Sequence, residues 1–121
     1  GGAAATARAA SPGAQATLAA AQGSGVTGDA VLTPSGNGVV VVVTLSGLAP
    51  NSAHAGHIHG GSCSGAILFP LSPITADASG RGSATATVTS ALDTSNWWVQ
   101  YHASDSPPGP GITCGQVMAR S

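Results

Sequence analysis

The sequence holds no lysine and no glutamate. Its charges are Arg8, Arg81 and Arg120 against Asp29, Asp77, Asp93 and Asp105, or 6% of the residues, where a typical domain carries ~25%. A net charge of -1 spread this thinly excludes binding to a phosphate backbone, which takes clustered cations; no nucleic-acid partner is expected. Without lysine there is no Schiff base, and no two acidic residues lie close in sequence. Aromatic residues are 3%, so the apolar mass is alanine and valine. The longest apolar run, residues 39–43, is strand length, far short of the ~20 residues that span a bilayer. No transmembrane segment is expected in this chain.

Cysteine is also scarce. Cys63 and Cys114 are too few and too far apart for a zinc ribbon or a redox CxxC pair. Either both are buried thiols or they close one disulfide. A small core of Ala and Val gains from a covalent staple, so the disulfide is expected. Closing a loop of about fifty residues stabilises by at most roughly 4 kcal/mol on the chain-entropy estimate. A disulfide implies an oxidising compartment, so the protein is read as exported: periplasmic, cell-surface or secreted.

What is abundant is turn chemistry and alternation. Gly at 18 and Pro at 8 punctuate short period-two segments, the pattern of strands joined by tight turns. Residues 1–14, low in complexity and rich in Ala and Gly, are read as a flexible tether to an anchor or export signal outside this chain. Residues 15–121 are read as one domain. Strands are expected over residues 15–22, 26–33, 39–45, 82–89, 97–102 and 112–120, with turns at 23–25 and 34–38. In the 39–45 strand, Val39, Val41, Val43 and Leu45 share one face. These six and one or two further short strands in a chain this size predict an antiparallel Greek-key β-sandwich or barrel.

Chemistry is left to four histidines. His57 and His59 stand at i and i+2, so on a strand both imidazoles leave the same face and can reach one ion. His102 ends another predicted strand and offers a third nitrogen. Imidazole suits copper and zinc, while the lack of nearby carboxylates disfavours calcium. The bland reading is that these are incidental or structural histidines. Trp98 and Gln100 share a face with His102. Trp98 over a metal would shield Cu(I) from solvent; ordinary packing of a large aromatic is the alternative. Met118 shares parity with Cys114 and is read as a core methionine, a soft metal ligand being the alternative.

At these residues the sequence resembles two families. Val26-Thr27-Gly28, Leu45-Ser46-Gly47-Leu48, His54-Ala55-Gly56-His57-Ile58-His59, Val99-Gln100-Tyr101-His102 and Thr113-Cys114-Gly115-Gln116-Val117 follow the order of motifs in copper–zinc superoxide dismutase. His57-Ile58-His59-Gly60-Gly61, Leu71, Asp77-Ala78-Ser79-Gly80, His102 and Gly115-Gln116-Val117 are similar to the chordin-type (CHRD) domain. The first resemblance implies a superoxide-dismutase-like sandwich with copper on His57, His59 and His102. It makes His54 a structural histidine that bonds backbone near the site, or else a fourth ligand. It also implies that Cys63 pairs with Cys114. The departures count as much. No histidine lies between Cys63 and Ser79, so no zinc site is expected, and Gly111 stands where the dismutases carry a guiding arginine. The expected function is therefore binding of one copper ion for delivery, storage or resistance, with a copper-donor or copper-acceptor protein as partner. A copper-only superoxide dismutase and a CHRD-like structural or interaction module are the alternatives.

Overall fold

Alternation of small apolar and polar residues makes strands along most of the chain. The computed structural model describes residues 11–120. The strands are β1 (Ala14–Ala20), β2 (Thr27–Ser35), β3 (Gly38–Ser46), β4 (Ala53–Gly60), β5 (Ile67–Thr75), β6 (Gly82–Val88), β7 (Trp97–His102), β8 (Gly111–Gln116) and β9 (Met118–Ala119). No helix forms among the described residues, and so no helix among them is long and apolar enough to cross a membrane.

The strands hydrogen-bond in the order β5-β4-β7-β8-β1-β2-β3-β6, with β9 beside β1. All pairings are antiparallel. β1 belongs to both layers: residues 14–18 pair with β2, and Ala19 and Ala20 pair with β8. The two sheet ends, β5 and β6, meet where the Ser72 hydroxyl donates to the Thr85 carbonyl at 2.8 Å. The result is an all-β, nearly closed barrel. The β3–β4 and β6–β7 connections cross between layers, the Greek-key arrangement the strand pattern predicts.

Inside, the apolar faces meet. Val39, Val41, Val43 and Leu45 are buried while Val42 and Thr44 turn outward. On β7 the pattern is equally strict, with Trp97, Val99 and Tyr101 buried and Trp98, Gln100 and His102 half-exposed on the other face. Tyr101 is the largest fully buried side chain. Its hydroxyl donates to the Ser72 carbonyl at 2.8 Å, and burial pushes its phenol pKa up. Its ring occupies the space over Gly56, where any Cβ would land on it. Gly56 is thus the gap that lets β4 and β7 close around a tyrosine.

Several sequence expectations are corrected. β5 falls within a stretch that carries no strand signal, because Pro70 and Pro73 interrupt it. Proline lacks an N–H and belongs on an edge strand, and β5 ends the hydrogen-bonded order. The expected 112–120 strand is two pieces, β8 and β9, interrupted at Val117; the Val117 N–H still reaches the Trp97 carbonyl at 2.9 Å, and beyond it Met118 and Ala119 pair with Gln15 and Ala14 of β1. Met118 is 60% exposed, on the outward parity of Gln116, and is not a core residue. The second turn tightens to Gly36 and Asn37, with Ser35 and Gly38 paired across it. Of the stretch read as a tether, residues 1–10 lie outside the described residues. Gly13 and Ala14 belong to the barrel: the Gly13 N–H donates to the Leu32 carbonyl at 2.9 Å and Ala14 is buried.

Candidate metal centre

The i, i+2 spacing on β4 sends His57 and His59 outward on the same face, with Ile58 buried between them. β7 lies alongside, pairing Gln100 with His57 and Trp98 with His59. His102, two residues beyond Gln100, joins the histidines from the neighbouring strand. The ring centroids are 5.0 Å apart for His57–His102, 5.7 Å for His57–His59 and 6.1 Å for His59–His102. One ligand atom from each of the three lies within 4.8 Å of the others, and among the described residues this is the group of three or more candidate ligands that converges.

Which nitrogens face inward follows from their partners. His59 Nδ1 lies 2.9 Å from the Gly65 carbonyl, and His102 Nδ1 lies 2.9 Å from the Gly109 carbonyl. A carbonyl only accepts, so both Nδ1 atoms carry the proton and both Nε2 atoms are left with lone pairs. This is the carbonyl-backed arrangement in which metal-binding imidazoles are held. His59 Nε2 is buried and has no hydrogen-bond partner, the one such side-chain atom among the described residues. His57 Nδ1 faces His102 Nε2 at 3.1 Å. Two nitrogens each ~2.0 Å from one ion lie about 3 Å apart, so this pair already has the spacing of two ligands. The nitrogens that could serve as donors are therefore Nδ1 of His57 with Nε2 of His59 and His102. That set fits a nitrogen-seeking ion and offers nothing to an oxygen-seeking one.

The cluster resists protonation at its centre. Partial burial, then the neighbouring His102 and His59, holds the His57 pKa below its ordinary value. A neutral imidazole is the form that binds metal.

His54 stands apart. It points inward and is buried; its Nδ1 donates to the His102 carbonyl at 2.7 Å and its Nε2 pairs with the Ser52 hydroxyl at 2.6 Å. Both ring nitrogens are occupied, so His54 orients the backbone of His102. The turn behind it is built by Asp77, whose carboxylate accepts from the Ser79 N–H, the Ser79 hydroxyl and the Arg81 N–H. Those bonds hold the Asp77 pKa down. Ala76 then donates to the Ser52 carbonyl at 2.8 Å.

Cys63 and Cys114 are joined in a disulfide. Trp98 sits directly across from His59 on the same face. At Gly111 a Cβ would collide with the Gln100 carboxamide, so a neutral amide lies against the position where the dismutase resemblance leads one to look for a guiding arginine. The carbonyls of Gly65 and Gly109, and Ser52, were not legible in the sequence. Backbone acceptors leave no residue signature.

A family model described as the CHRD domain matches residues 8–110, a span that takes in all four histidines and Cys63 and ends before Cys114. No curated protein matches the chain. Of the two families the sequence resembles, this match supports the chordin-type one; the dismutase likeness rests on the motifs alone.

Proposed function

The chain belongs to the CHRD domain family, and from that premise we propose that it is an exported copper-binding module holding one ion on His57, His59 and His102. The observation that carries this reading is the buried, unpartnered Nε2 of His59, aimed into a cluster whose other two imidazoles stand ligand-distance apart. Leaving a buried nitrogen unpaired costs about 1–3 kcal/mol, which a bound ion offsets. A three-imidazole site accommodates both Cu(I) and Cu(II), as delivery, storage or resistance requires, and a copper-donor or copper-acceptor protein would exchange the ion. The disulfide supports an oxidising, exported setting. Trp98, beside His59, shields the ion from solvent. Bound copper would supply a soft, one-electron-active centre; the chain's own part is to hold three lone pairs in place.

A second reading has its own support. The His57 Nδ1–H also satisfies His102 Nε2 at 3.1 Å, so the histidines equally suit a hydrogen-bonded cluster in a structural CHRD module. Calorimetric titration separates the two. Copper uptake at one ion per chain, lost on changing His57 and His59 to Ala together, supports the metal reading. Unchanged stoichiometry in that double variant would refute the site, and no uptake by the wild type leaves the structural module.

A further inference from the structure

The loop between β4 and β5, residues 61–66, does more than connect neighbours. β5 pairs with β4 on one side, whereas β7 and then β8 follow on the other. Yet Cys63 in this loop is bonded to Cys114 on β8. Cys114 lies in one row with Gln100 and His57, on the face that carries the histidines. The loop therefore leaves β4, crosses over β7, is pinned to β8, and returns over β4 to start β5. On the return, the Gly65 carbonyl accepts the His59 Nδ1–H.

The ties at its root are the Gly60 N–H to the Ala66 carbonyl and the Gly61 N–H to the Asn96 carbonyl, at 2.9 and 2.8 Å. At its tip the hydrogen bonds are internal, from the Gly65 N–H to the Ser62 carbonyl and between the hydroxyls of Ser62 and Ser64. Apart from the Gly65 carbonyl's bond to His59, the disulfide is thus the tie from the loop's tip to the sheet. His59, which depends on the loop for its tautomer, is 5% exposed.

We propose that the Cys63–Cys114 disulfide sets the metal affinity of the histidine centre, so that a dithiol reductant loosens the loop and releases the ion. The proposal rests on the copper-binding reading. Cys63 is half-buried, within reach of a small dithiol. In the exchange the Cys63–Cys114 bond breaks, the reductant's two sulfurs form a new disulfide, and its two electrons and two protons leave both cysteines as thiols. The loop tip then floats and the Gly65 carbonyl no longer fixes Nδ1 of His59. Losing such an outer partner lowers metal affinity about 10- to 100-fold.

The test compares Cu(II) dissociation constants of the oxidised wild type, a Cys63→Ser/Cys114→Ser variant without thiols to bind or reduce the ion, and Gly65→Ala. A Cβ at Gly65 overlaps the Gly60 carbonyl oxygen, so that variant displaces the Gly65 carbonyl with the disulfide intact. It serves even if the double serine variant does not fold, as circular dichroism will report. The expected result is one ion per chain throughout, with affinity reduced at least tenfold in each folded variant. Wild-type affinity in Gly65→Ala, or in a folded double variant, overturns the proposal. No uptake by the oxidised wild type removes the parent reading, and the coupling with it.

Discussion

Gly56→Ala strikes the point where fold and site share one contact. A methyl group there lands on the Tyr101 ring, which is fully buried and tied by its hydroxyl to Ser72. Gly56 and Tyr101 are direct partners across β4 and β7, so the overlap is relieved by moving the ring or parting the strands. Overpacking of a filled core costs about 1–3 kcal/mol, and giving up the tyrosine hydrogen bond about 1 kcal/mol more. At several degrees per kcal/mol for a domain of this size, Tm should fall by roughly 10 °C. The site should suffer too, because His57 follows Gly56 and His102 follows Tyr101; parting those strands widens the 3.1 Å gap between their facing nitrogens. Thermal unfolding followed by circular dichroism, with a copper titration on the same protein, measures both effects. A Tm within about 2 °C of wild type would show that the ring moves freely, and the account of β4–β7 closure would be wrong.

Cutting the disulfide with a reductant should lower Tm, by an amount equivalent to at most roughly 4 kcal/mol; two titratable thiols in the unreduced protein would show that the pair never formed. The Asp77 carboxylate has a depressed pKa, so its stabilising bonds are fully present above the unfolded value near 4 and are lost as pH falls through the lower folded value. Asp77→Asn should therefore flatten the acid limb of the stability curve below about pH 4, and equally steep limbs in both proteins would count against that turn's role. Copper-loaded protein should be a poor superoxide dismutase with a rate little affected by salt, since the neutral Gln100 carboxamide, and no cation, lies beside Gly111. A rate close to diffusion control that collapses with ionic strength would reveal a cation serving the site and favour the enzyme.

The parts of this protein that were legible in its sequence are those written in side-chain periodicity. Val39, Val41, Val43 and Leu45 declared β3, and the spacing of His57 and His59 declared a shared face before β4 was seen. β5 was hidden because prolines mask strand character on an edge, where a missing donor costs little. Met118 was misplaced because parity says which face a residue takes, not whether that face is covered. The supports of the site were hidden for another reason. The Gly65 and Gly109 carbonyls are backbone atoms, brought to His59 and His102 by a pinned loop and by the connection from β7 to β8. Residue identity cannot encode them.

The central claim is that one copper ion sits among Nδ1 of His57, Nε2 of His59 and Nε2 of His102. Anomalous diffraction at the copper edge from a crystal of the loaded, oxidised protein tests it directly. The account predicts one strong peak per chain, within about 2.0–2.2 Å of those three nitrogens, with Nδ1 of His59 and His102 still on the Gly65 and Gly109 carbonyls. A peak elsewhere, or an intact His57–His102 hydrogen bond with no copper beside it, would contradict it.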